Sequence, residues 1–154
     1  LNVVGSHLAL GWGPSGLDYP HLHRGLARLP WLPVVEPGAT PLQRLAWQVG
    51  VFICALEAAV ERNPEWRLVS HEELCRDPAA GFKSLCADLG VPWTDEAAGF
   101  LADCDRPGRG LETRRVTAEQ PSNWTRQLTA AQVDEVIGVL SGFPDRLFGA
   151  ALLP

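Results

Sequence analysis

The stretch Trp66 to Gly90, WRLVSHEELCRDPAAGFKSLCADLG, decides how this chain is read. Arg67 to Ser70 is short, β-compatible and flanked by polar residues, which predicts a buried strand that stops at His71. An acidic turn, Glu72-Glu73, follows. Asp77-Pro78 then restarts the chain as a helix, a capping side chain with proline at the first helical position. Within that helix Phe82, Leu85, Cys86 and Leu89 recur at i, i+3, i+4 and i+7, the spacing of one buried face, and Gly90 and Pro92 end it. In open α/β sheets ligands bind beyond the carboxyl ends of strands, so this junction is the first place to look for a site.

Outward from the junction, the other elements read as helices. Leu1 to Leu10 predicts a short helix closed by the glycine-rich turn at residues 11–16, GWGPSG. Residues 13–39 are dense in proline and glycine and predict a long irregular connection, with one helical turn around Leu22 to Leu29; connections of this length commonly serve as lids. Thr40-Pro41 is a strong helix start, and the helix should run to about Arg62, apolar on nearly all faces from Trp47 and so mostly buried. A further helix after Thr94 should bury Phe100 and Leu101. The last helix opens on the capping box Thr129-Ala-Ala-Gln132 and carries Val133, Val136, Ile137 and Leu140 as its stripe.

A chain of 154 residues is about one domain, with apolar content that allows a real core. Its net charge of −5 argues against nucleic acid as the partner. Lys83 is the only lysine, so no glycine-rich loop ending in a lysine is present to cradle a phosphate. Nor do GxSxG, HExxH or GxGxxG patterns appear. Cys54, Cys75, Cys86 and Cys104 show no CxxC pair and no zinc-ligand spacing, and three of them fall on apolar helical faces as small hydrophobes. Asn123-Trp124-Thr125 matches a glycosylation acceptor, but no signal peptide accompanies it, and the expected location is cytoplasmic. The longest apolar run, Ala46 to Val60, is too short to span a bilayer, which takes about 20 residues. The chain holds no methionine and opens abruptly on an apolar segment, so the expectation is a fragment.

Two features hint at anion chemistry. Asp105 to Asn123, DRPGRGLETRRVTAEQPSN, lacks periodicity and carries Arg106, Arg109, Arg114 and Arg115. A guanidinium donates two hydrogen bonds at once to phosphate or sulfate, although a solvated loop paired with Glu112 and Glu119 is an equally simple account. Ser6 lies in an early segment where a hydroxyl near a helix start would serve a phosphate, against the plainer reading of a surface serine. His71 reads either as a ligand contact at the strand end or as a partly buried histidine bonded to its own turn. His7, His21 and His23 have no nucleophile or carboxylate partner nearby in sequence, and the adjacent Glu72 and Glu73 diverge too far to form a catalytic pair.

Three stretches together resemble the C-terminal part of a bacterial sulfotransferase that uses 3′-phosphoadenosine-5′-phosphosulfate (PAPS). LNVVGSHLALGW resembles the segment following that family's arginine-x-proline motif, with Ser6 matching the serine that binds the 3′-phosphate. LVSHEELCRDPAAGFKSLCADLGVPW resembles its strand, turn and DP helix, with His71 matching the residue, often tyrosine, that approaches the adenine. NWTRQLTAAQVDEVIGVLSGFP resembles its closing tryptophan and capped helix. Arg114 and Arg115 are the nearest match to the family's basic loop, though the arginine-lysine-glycine triplet is missing and the spacing to Trp124 is longer.

The resemblance implies an α/β fold, a partial P-loop-type three-layer architecture, predominantly helical here with one or two short parallel strands. The whole of residues 1–154 would form the C-terminal portion of one such domain. It implies transfer of a sulfuryl group from PAPS, without a metal, to a hydroxyl on a small-molecule, carbohydrate or lipid acceptor, with the phosphosulfate loop lying outside this chain. The proline-rich segment from Gly13 to Gly38 would cover the acceptor. The alternatives are a non-catalytic helical binding or regulatory module, and another P-loop transferase such as a small-molecule kinase, for which the magnesium-holding acid and phosphate loop are not visible.

Overall fold

The computed structural model describes residues 1–14, 32–108 and 112–144. Its elements are α1 (Asn2–Ala9), α2 (Pro41–Arg62), α3 (His71–Arg76), α4 (Pro78–Asp88), α5 (Asp95–Cys104) and α6 (Ala130–Leu140), with a 3₁₀ stretch, Thr117–Arg126, before α6. The chain divides into two compact units, residues 1–67 with 124–154, and residues 68–123. His21, His23, Arg109, most of the expected irregular connection and its helical turn lie outside the described residues.

The first unit is built on α2. The Thr40 hydroxyl accepts the Gln43 amide at 3.1 Å while the Gln43 side chain accepts the Thr40 amide at 2.9 Å, a reciprocal cap that spares two amides left unpaired at any helix start. Leu42, Leu45, Ala46 and Val49 then line up on one side of α2, and Cys54 is buried further along it. Val4 of α1, Val136 and Leu140 of α6, and Phe143 complete this core. Val4, Leu45, Val136 and Leu140 are almost wholly enclosed, each contributing about 1.5–3 kcal/mol of apolar burial. At Gly50 the chain packs closely: a Cβ added there would stand 2.5 Å from the Phe143 ring.

Polar contacts brace the same core. The Thr40 hydroxyl meets the Glu135 carboxylate of α6. The Trp47 indole donates to the Pro33 carbonyl at 2.7 Å, and the Asn2 side chain accepts the Trp124 amide at 3.2 Å. The expectation that α2 is buried on most faces holds only in part, since Phe52 and Leu56 stand about half exposed on its outer side.

In the second unit Asp77 and Thr94 cap helices where the sequence places them, Ser70 caps one where a strand end was expected, and the expected burial does not follow. Ser70 caps α3 by accepting the Glu73 amide at 3.3 Å; Asp77 caps α4 by accepting the Ala80 amide at 3.1 Å; Thr94 caps α5 by accepting the Ala97 amide at 3.2 Å. Gly90, with φ +68, closes α4 in a conformation that suits glycine. Of the expected α4 face, Phe82, Leu85 and Cys86 are only half-buried and Leu89 is exposed. Phe100 on α5 is exposed as well, with Leu101 half-buried. Periodicity names the apolar side of a helix, but burial needs an element packed on that side, and α4 packs on α3 and α5 at its edges. Among the described residues of this unit Cys75 of α3 is the one buried apolar residue, and Lys83 is exposed on α4.

The α/β three-layer expectation is overturned: among the described residues there is no strand and no sheet. Residues 67–70 do leave helical geometry, and Ser70 has β-region dihedrals, φ −77 and ψ 124. A strand, however, exists only through ladder hydrogen bonds to a neighbour. Leu68 and Val69 make no backbone hydrogen bond among the described residues, and both side chains are exposed rather than buried. His71 therefore does not end a strand. It is the first residue of α3.

Candidate functional site

The richest cluster of chemically active groups in the second unit gathers around α3 and the loop after α5. His71 and Cys75 are four residues apart, which places one above the other on the same face of α3. The Cys75 sulfur lies 3.5 Å from His71 Nε2 and 3.9 Å from Nδ1. His71 is exposed while Cys75 is buried beneath it. Burial, followed by the negative charges of Glu72 and Asp105, pushes the Cys75 thiol up, so it stays protonated and makes a poor nucleophile. Of the two adjacent glutamates, Glu72 comes within 3.4 Å of the Ser70 hydroxyl, and Glu73 lends its amide to the same oxygen.

The loop after α5 is pinned at both ends of its turn. Asp105 accepts the Thr117 amide at 2.7 Å, and the Arg115 amide donates to the Cys104 carbonyl at 2.9 Å. Hydrogen bonds from the Thr117 backbone and then its side chain hold the Asp105 carboxyl below the usual carboxylate range, against a smaller opposing effect of desolvation.

The four residues expected to contact the cofactor take different positions. Ser6 belongs to the first unit and is exposed, but it lies past the middle of α1 rather than at its start, so the amides of that helix end do not add to its hydroxyl. Arg114 is exposed, its carbonyl packed against Gly108. Arg115 is half-buried and turns its guanidinium back on the loop, donating to the Glu112 carbonyl at 2.8 Å and the Arg114 carbonyl at 2.6 Å. Arg106 pairs with Asp103 at 2.7 Å. Arg114 is thus the more available of the expected pair, and Arg115 shapes the loop. His71, Arg114 and Arg115 share the second unit, whereas Ser6 does not.

The second unit also has an open groove of about 280 Å³, lined by Leu68, Val69, Leu74 and Leu85 with the carboxylates of Glu73 and Asp88. None of the four expected contacts lines it, and its charge is wrong for a phosphate. No three His, Cys, Asp or Glu side chains among the described residues are placed to hold a metal, and no helix among them is long and apolar enough to cross a membrane. Cys75 and Asp105 are the site residues that the sequence reading passed over. The His-x-x-x-Cys spacing was a visible signal for the first, and nothing local marks the second. No protein-family model, curated protein or solved structure matches the chain.

Proposed function

We propose that this chain contributes nucleotide-binding residues to an enzyme that transfers a sulfuryl group from PAPS to an acceptor hydroxyl. The observation that carries the reading is the stretch LVSHEELCRDPAAGFKSLCADLGVPW, whose resemblance to the sulfotransferase family covers the turn and the capped helix after it. His71 is exposed at the start of that turn, free to meet a base, and the exposed Arg114 is suited to a phosphate oxygen. Sulfuryl transfer depends mostly on positioning donor and acceptor and on placing positive charge where negative charge develops. On this reading the residues here bind and orient the nucleotide, and the acceptor is a small molecule, carbohydrate or lipid bearing a hydroxyl. The support is local sequence and the exposure of these side chains, not the fold.

Calorimetric titration with 3′,5′-diphosphoadenosine tests it. Binding should be measurable and should weaken about threefold to tenfold in Arg114→Ala, the loss of one hydrogen bond to an anion. An affinity unchanged by that substitution would sink the assignment. The second reading, a non-catalytic helical binding module, is favoured by the wholly helical architecture and the acid-edged groove among the described residues. It requires that the same titration give no heat.

A further inference from the structure

We propose that Leu68, Val69 and the groove beside them take up an extended, basic peptide segment of a partner protein. Its backbone pairs with Leu68 and Val69, and its positive side chains meet Glu73 and Asp88. The backbone, the groove and the charge each describe that occupant. Residues 66–70 run without helix, turn or bend, and Ser70 has β-region dihedrals. Leu68 and Val69 are exposed and make no hydrogen bond among the described residues. Their N–H and C=O groups thus stand as the unpaired edge that an added strand completes, the mode in which extended peptides are bound through main-chain hydrogen bonds.

The groove supplies what such a strand needs beside its backbone. Leu68, Val69, Leu74 and Leu85 give it apolar lining, and a Cβ added at Gly81 would stand 2.8 Å from Leu74 Cδ2, so α3 and α4 close its floor. At about 280 Å³ and open, it falls just short of the 300–1,000 Å³ of concave small-molecule sites, and suits side chains projecting from a strand. The remaining lining is acidic. Glu73 and Asp88 are exposed, and neither carboxylate has a cationic or hydrogen-bonding partner among the described residues. Asp88 lies in the last turn of α4, where the helix dipole disfavours negative charge, so it does not serve the helix. The neighbouring cation, Arg67, turns its guanidinium back to the Pro64 and Trp66 carbonyls at 2.9 and 3.1 Å. A lysine or arginine from outside therefore fits the rim. A second copy of this chain, with its net charge of −5 and the same acidic rim, fits it worse.

Titration of the full, nitrogen-15-labelled chain with the end-blocked peptide KTVTVTK tests the proposal, since its valines and terminal lysines share one face of a strand. The Leu68 and Val69 amides should exchange fast in the free chain, then shift and become protected as the peptide is added. The charge-reversed peptide ETVTVTE should bind about tenfold more weakly. N-methylation of alternate amides of KTVTVTK should abolish binding in one of the two registers and spare it in the other, because one edge of the strand faces the chain. Glu73→Gln and Asp88→Asn should each weaken binding about twofold to fivefold, as exposed ion pairs do. Asp88→Asn should leave the Tm unchanged or raised, so that lost binding is not lost fold. Failure of KTVTVTK to bind, equal binding of ETVTVTE, or indifference to both N-methylated forms overturns the proposal. Protection of Leu68 and Val69 that grows with the concentration of the peptide-free chain also overturns it, in favour of a second copy. Each outcome is independent of nucleotide binding.

Discussion

Asp105 shows how one side chain fixes an otherwise irregular loop. Its carboxylate accepts the Thr117 amide across twelve residues, and the same bond depresses its pKa. A carboxyl lowered in the folded state adds stability above its unfolded pKa, about 3.9, and loses it as pH falls through the lower folded value. The Thr117 amide signal should therefore titrate with a midpoint below the usual carboxylate range, and Asp105→Asn should remove the titration. A midpoint at or above that range would disprove the account. The partnership was not legible in the sequence, because an Asp–Thr contact twelve positions apart has no periodic signature. His71 and Cys75, four apart, were legible as a pair once a helix was assigned there; the strand assignment hid it, since alternating side chains on a strand do not place i and i+4 one helical turn apart.

The sequence reading of the elements succeeded at their ends and failed at their faces. Thr40, Asp77, Thr94 and Thr129 all cap helices because capping is a contact between residues three apart, and so is written locally. Burial of Leu89 or Phe100 would depend on what packs across the helix, which local sequence does not contain. Two glycines make this dependence measurable. Gly50→Ala gains about 1 kcal/mol of helix propensity but forces a Cβ against the enclosed Phe143 ring, where overpacking costs about 1–3 kcal/mol. Contact below 3 Å with three ring atoms puts the cost at the upper end, so urea denaturation should show a net loss of about 1–2 kcal/mol. Gly138→Ala on α6 meets nothing within 4 Å and should instead stabilise by about 0.5–1 kcal/mol. Equal effects at both positions would refute the close approach of α2 to Phe143.

At the scale of the molecule the two units differ in how much they enclose. The first holds a continuous core from α1, α2 and α6, whereas α4 and α5 of the second contain no buried residue. Hydrogen exchange should accordingly be slowest at Leu45, Val49, Val136 and Leu140 and much faster along α4 and α5. Protection of α5 equal to that of α2 would contradict this. The missing sheet belongs to the same scale: Leu68 and Val69 have strand-like composition, but a strand is a property of two segments, and no partner segment occurs among the described residues. Lys83 carries a practical consequence. As the sole lysine in these 154 residues, exposed on α4, it offers one ε-amine for covalent attachment and one cleavage point for a lysine-specific protease. Because proteases cut unwound chain, the rate of that single cut would clock the opening of α4, without a probe having to be engineered in.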